Sequence, residues 1–178
     1  MGVGGVNRMH YERAVEDFLQ CRSVAYLRVD QIKRSAFAGV KLKSFDLLVY
    51  PEAGENILVD VKGRKWPYQS RGTKRYWENW VTAEDLEGLT KWEEVFGPGF
   101  RAAFVFCYWL GEVENLPIET GVHVFDGEKY GFLLVWLSDY TDNMRVRSPR
   151  WKTVSMATRR FRELAEPLED VLWSNSSQ

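Results

Sequence analysis

The sequence predicts an α/β fold, a mixed β-sheet carrying helices on its faces. Three observations predict it. An amphipathic helical stretch opens the chain, two strand-like stretches joined by a turn follow it, and a second helix leads into a long apolar strand. The chain has 178 residues, 45% of them hydrophobic, so one domain over 1–178 with its own core is expected and disorder is excluded. No apolar run reaches ~18 residues, so no membrane helix is expected. The opening MGVGGVNRMH lacks the apolar stretch of a secretory signal. Cys21 and Cys107 make neither a disulfide framework nor a cysteine-based zinc site, and a reducing, cytoplasmic setting is expected. His10 and His123 are the only histidines, which excludes a multi-histidine metal site.

The first helix is predicted from His10 to Arg22, because Tyr11, Ala14, Val15, Phe18 and Leu19 recur at helical spacing. Val24 to Asp30 reads as a strand and 31–43 as a basic connection. Ser44 to Tyr50 and Asn56 to Lys62 read as strands joined by Pro51-Glu52-Ala53-Gly54-Glu55. Thr82 opens the second helix, with Asp85 completing an approximate capping box. Leu86, Leu89, Trp92 and Phe96 form its apolar stripe, and Gly97-Pro98 ends it. Phe100 to Leu110 is a buried strand with Cys107 in the core. Val122 to Phe125 and Gly131 to Leu137 pair across Asp126-Gly127. A short helix from Thr158 to Ala165 stops before Pro167. His10 reads as a surface residue at a helix start and His123 as structural.

The net charge is −1, but it is unevenly spread. Residues 62–75 hold Lys62, Arg64, Lys65, Arg71, Lys74 and Arg75 and no acid. Residues 145–162 hold seven basic side chains and no acid. Together the two tracts carry +13 and leave −14 on the other 146 residues, the pattern either of two solvated loops or of a neutral protein with a phosphate-binding face. Trp66, Tyr68, Tyr76, Trp77 and Trp80 interleave with the first tract. Aromatic rings among cations stack on bases while the cations hold phosphates. Trp77 and Trp80 either join such stacking or pack under the following helix, while Pro67 and Gly72 mark a loop, which predicts exposed Trp66 and Tyr68.

The two strands at 44–62 carry the chemistry. Centred on Ala53, an antiparallel hairpin sets Phe45 against Val61, Leu47 against Val59 and Val49 against Ile57, so that side faces the core. On the other side Leu48 faces Leu58, Asp46 faces Asp60 and Ser44 faces Lys62. Opposed residues stand roughly 5 Å apart, and two carboxylates that close repel unless a cation lies between them. A divalent metal resolves the conflict, since hard oxygen ligands suit Mg²⁺; Lys62 alone is the other solution. On the first helix, Glu12 lies roughly 90° from the centre of the apolar stripe, at the edge of the core. It is the better placed acid for the sheet edge, Glu16 lying nearer solvent.

Glu12, then Asp46, then Asp60-Val61-Lys62 resembles the PD-(D/E)XK nuclease superfamily. Its signature is a helical glutamate, an aspartate on one strand and Asp/Glu-x-Lys on the next. FDLLVYPEAGENILVDVKGRK is similar to its central hairpin, with Phe45 in place of the proline before the aspartate. YERAVEDFL and TAEDLEGLTKWEEVFG are similar to the first and second helices of archaeal Holliday-junction resolvases and related small nucleases. The resemblance covers about residues 10–110 and implies an αβββαβ core, the restriction-endonuclease-like fold, with 111–178 a strand and helix extension. It implies metal-dependent phosphodiester hydrolysis, with DNA favoured over RNA and a homodimer possible. Asp46, Asp60, the Val61 carbonyl and Glu12 would hold Mg²⁺ or Mn²⁺, and Lys62 would orient the attacking water. Arg64, Lys65, Trp66, Arg71, Lys74 and Arg75 would grip nucleic acid. Two alternatives stay open: an inactive nucleic-acid-binding relative, and a tryptophan-rich protein-interaction domain.

Overall fold

The computed structural model describes residues 6–29, 36–37, 40–70, 72–75, 77–111 and 121–173, with backbone alone at 6–9, 36–37, 40–41, 68–70 and 73–75. Helix α1 (Val6–Cys21) starts a turn earlier than predicted, because the apolar stripe that reveals it begins only at Tyr11. It is followed by the main-sheet strands β1 (Ala25–Arg28), β2 (Leu47–Tyr50) and β3 (Asn56–Lys65), then α2 (Ala83–Phe96) and β4 (Phe100–Trp109), the expected αβββαβ order, with small two-stranded ribbons (Ala36–Phe37 with Val40–Lys41, and Tyr68–Ser70 with Thr73–Arg75) inserted before β2 and after β3. Beyond it lie β5 (His123–Phe125), β6 (Glu128–Trp136), α3 (Leu137–Asn143), β7 (Met144–Ser148), β8 (Thr153–Met156), α4 (Thr158–Leu164) and α5 (Leu168–Trp173).

The main sheet runs β1-β2-β3-β4-β6-β5, with Glu166–Pro167 adding a short seventh strand beside β6. It is mixed. β3 and β4 are parallel over their whole length, and their neighbours pair antiparallel. A parallel pair needs a crossover, and α2 supplies it. The hairpin register is the predicted one, with Leu47 opposite Val59, Leu48 opposite Leu58 and Val49 opposite Ile57.

Both faces of the sheet are buried. On one, α1 and α5 lay Ala14, Val15, Phe18, Leu19, Leu168 and Leu172 against Leu47, Val49, Ile57, Val59, Val61 and the odd-numbered side chains of β4. On the other, Leu89 of α2, Tyr140 of α3 and Phe161 of α4 cover Leu48, Leu58, Phe104, Phe106 and Tyr108. Each large apolar side chain so buried contributes about 1.5–3 kcal/mol. The helices sit close because two glycines admit them. A Cβ on Gly63 of β3 would lie 2.1 Å from the Tyr11 ring of α1, and one on Gly88 of α2 would lie 2.7 Å from the Lys43 carbonyl oxygen.

A second, three-stranded sheet joins β7, β8 and the short strand Val81–Thr82 that enters α2. It ties the C-terminal third to the start of that helix. Sequence patterning anticipates neither this sheet nor α3 and α5. Among the described residues, no helix is long and apolar enough to cross a membrane.

Candidate active site

The site forms where β2 and β3 part. The last rung of their ladder is Leu47–Val59. Asp46 then donates its N–H to the Val59 carbonyl at 2.9 Å, and its own carbonyl accepts from Val29 at 2.9 Å. The predicted Asp46–Asp60 rung is therefore absent from the ladder. Phe45 is also turned from its predicted place opposite Val61. It packs on the α2 side, its ring 5.7 Å from Trp92 and 5.9 Å from Phe96. The Asp46 carboxylate occupies the gap, and its Oδ2 accepts the Val61 N–H at 2.6 Å. In a strand, the N–H and C=O of one residue point to the same edge, so the Val61 carbonyl faces this gap as well.

Asp46, Asp60 and Lys62 are 6%, 5% and 6% exposed, so the acid pair is no solvated patch. Asp60 and Lys62 alternate on the α2 side of β3, and the Lys62 Nζ stands 2.7 and 2.9 Å from the two Asp60 oxygens. A further residue, Asp85, meets the same ammonium at 3.0 Å. Asp85 sits three residues into the start of α2. Its Oδ2 accepts the Thr82 N–H at 2.7 Å while the Thr82 hydroxyl accepts the Asp85 N–H at 3.1 Å, a full capping box. Lys43 also pairs with Asp85. Sequence shows this residue only as a cap. Its second role depends on how α2 seats against β3, fixed by Gly88 on Lys43 and by the Trp92 indole donating to the Lys43 carbonyl at 3.0 Å.

The electrostatics follow from burial and pairing. Burial, then Asp60 and Glu12, push the Asp46 carboxyl well above its usual value. Burial raises Asp60 too, and Lys62 opposes the rise without cancelling it. Burial alone would lower Lys62, but Asp60 and Asp85 outweigh it and keep the ammonium protonated. Asp85 goes the other way: burial would raise it, yet Lys62, Lys43 and the Thr82 N–H hold it well below the carboxylate range. Glu12 is half-buried on α1, 3.8 Å from Arg28, and its charge reaches Asp46. Glu16, one turn on, pairs with Arg28 at 3.5 Å and accepts from the Tyr26 hydroxyl at 3.2 Å.

No family model matches the sequence, and no curated protein matches it. Among solved structures, the chain is similar to Archaeoglobus fulgidus Hjc, a Holliday junction resolvase from an archaeal hyperthermophile, solved at 1.6 Å. The match covers 92% of this chain and 98% of that one, with a TM-score of 0.53 and 16% identity. The chain has the restriction-endonuclease-like fold. At this identity the likeness is one of fold, and the expected resemblance to archaeal resolvases holds at that level.

Around this restriction-endonuclease-like core the first basic tract departs from the simple picture. Strand β3 runs on to Lys65, and the Trp66 N–H donates to the Trp109 carbonyl at 2.8 Å. Trp66 is consequently 3% exposed and packs against Trp77, which corrects the expectation of an exposed stacking ring. Arg64 is also turned inward: its guanidinium lies 4.2 Å from the Trp80 ring centroid and donates to the Gly63 carbonyl at 2.7 Å and to the Trp80 carbonyl. Lys65 is exposed, its ammonium 5.1 Å from the Trp109 ring centroid. Arg71 and the side chains of Tyr68, Lys74 and Arg75 lie outside the described residues.

His10 is half-buried rather than superficial, its Nδ1 2.9 Å from the Tyr130 hydroxyl among the rings of Tyr11, Trp109 and Phe125. His123 is buried, with its Nε2 2.7 Å from Asp17. Asp17, Cys21 and His123 bring their donor atoms within 4.8 Å of one another, a mixed cluster where α1 meets β5.

Proposed function

We propose that this chain is a metal-dependent nuclease that hydrolyses phosphodiester bonds, with DNA as its favoured substrate. One observation carries the reading: at the point where β2 and β3 part, two carboxylates raised first by burial, Asp46 also by the Asp60 and Glu12 charges, stand beside a lysine held as an ammonium. Two neighbouring buried acids destabilise a fold on their own, and a small divalent cation bound by both relieves the repulsion. The donors fit such an ion. Asp46, Asp60, Glu12 and the Val61 carbonyl are hard oxygen ligands, and a carboxylate oxygen engaged by an N–H keeps a further lone pair. Bound Mg²⁺ or Mn²⁺ supplies a water of lowered pKa and offsets charge on the scissile phosphate.

The chain's own residues do the rest. Lys62 is a positive charge and hydrogen-bond donor, not a proton acceptor, so it orients the attacking water or steadies the developing negative charge on the phosphate. Asp85 and Asp60 fix the position of that ammonium. Lys65 stands exposed at the end of β3 to meet backbone phosphate.

The test is direct. Purified protein is incubated with labelled single-stranded, duplex and four-way DNA and with RNA, in Mg²⁺, Mn²⁺ or EDTA, beside Asp60→Ala and Lys62→Ala. Four-way DNA is included because Hjc is a Holliday junction resolvase. Metal-dependent cleavage lost in both variants is the expected result. Binding without cleavage of any probe would favour the inactive nucleic-acid-binding reading, and no binding at low salt would favour the protein-interaction reading.

A further inference from the structure

The second basic tract forms a projecting arm. Strand β7 pairs only with β8 among the described residues, and Met144, Arg145, Val146 and Arg147 are all exposed, on both faces of the strand. The turn to β8 is Pro149-Arg150-Trp151-Lys152, and Trp151 at its tip is 69% exposed, with the Arg150 guanidinium 5.3 Å from its ring centroid. Of the basic side chains in the tract, Arg159 and Arg160 pair with Glu163, and Arg147 with Glu78. Arg145, Arg150 and Lys152 make no ion pair among the described residues. A large ring held out in water among uncompensated cations, with no acid in the tract, suits a polyanion that carries flat bases.

The arm is tethered to the active site. The Lys152 carbonyl accepts the Ala83 N–H at 2.9 Å, two residues before Asp85, and Asp85 holds Lys62. The register slips by one between Val146–Val154 and Ser148–Thr153, which leaves Arg147 as the extra residue of a β-bulge. Bulges re-aim side chains. Here Arg147, though exposed, is turned toward Trp80, its guanidinium 5.3 Å from the ring centroid that Arg64 also meets.

We propose that the β7–β8 turn is a nucleic-acid grip for the strand cut at the Asp46–Asp60 site. Trp151 stacks on an unpaired base, and Arg145, Arg150 and Lys152 hold the phosphates beside it. This rests on the nuclease reading. The grip favours substrates with unpaired or splayed bases over continuous duplex, because a paired base keeps both faces in its own stack.

Fluorescence anisotropy with labelled single-stranded, blunt duplex and four-way DNA, in EDTA and in Ca²⁺ over a salt series, tests it. Trp151→Ala should weaken single-strand binding about tenfold and duplex binding far less, and Trp151→Phe should recover most of the loss. Arg145→Ala with Arg150→Ala should reduce the salt slope by about one per arginine. These side chains are exposed, so the melting temperature should hold. Wild-type affinity and slope in both variants would overturn the grip, yet leave the nuclease reading intact if metal-dependent cleavage persists. Variants that alter only self-association would make the arm a protein interface and overturn it likewise. Wild-type protein that neither binds nor cleaves any probe removes both proposals together.

Discussion

Replacing Asp46 with asparagine should stabilise the metal-free protein while abolishing its response to Mn²⁺. Burial, Asp60 and Glu12 hold the Asp46 carboxyl well above its usual value. Between the unfolded value of about 3.9 and that raised value, the folded chain keeps a proton that the unfolded chain has released. Stability therefore falls as pH rises through this interval and levels off above it. Two carboxylates close enough to raise a pKa, roughly 4–6 Å apart, repel by about 3 kcal/mol at an effective dielectric constant of about 20. Asparagine still accepts the Val61 N–H, but the neutral bond is weaker by about 1 kcal/mol. The net gain is about 2 kcal/mol. For a chain of this size that is a rise of roughly 4–8 °C in melting temperature. Calorimetry in EDTA between pH ~5 and ~8 should show the gap narrowing as pH falls. Mn²⁺ should raise the wild-type midpoint and leave the variant unmoved. A variant that melts below wild type in EDTA at pH ~8 would refute the reasoning, because the acid pair would then not be costing the fold anything.

Asp85→Asn removes one counter-ion of Lys62 and should destabilise the protein by about 3 kcal/mol, read from the denaturant midpoint. Since Asp85 is held well below the carboxylate range, its contribution is present above about pH 4 and lost below it, so the gap to wild type should close only in acid. Gly63→Ala sets a methyl group 2.1 Å from the Tyr11 ring and should cost about 1–3 kcal/mol in the same assay, displacing α1 and lowering metal-dependent cleavage as Glu12 moves with it.

What could be read from the sequence was set by periodicity. The hairpin register was legible because a one-residue slip would reverse every side chain from Leu47 to Val59, and that register put Asp46, Asp60 and Lys62 in one neighbourhood. Its continuation past Leu47 was not legible. Phe45 changes side because the Asp46 N–H goes to Val59, a backbone choice that leaves no mark on the alternation. Trp66 was misplaced because cations, a proline and a nearby glycine look like a loop, while pairing with Trp109 carries the chain inward. Asp85 announced its cap through the Thr82-x-x-Asp85 spacing, but its approach to Lys62 depends on how two distant elements dock. The β7–β8 arm escaped prediction for a plain reason: a strand exposed on both faces has no apolar side to alternate with.

The carboxylate that starts α2 is also the counter-ion of Lys62. A chain in which α2 has not yet wound leaves the lysine loosely held and the acid pocket unroofed. On the proposed nuclease reading, seating α2 therefore completes the set of acids around Lys62, and a chain with α2 unseated lacks one of the two carboxylates that hold it.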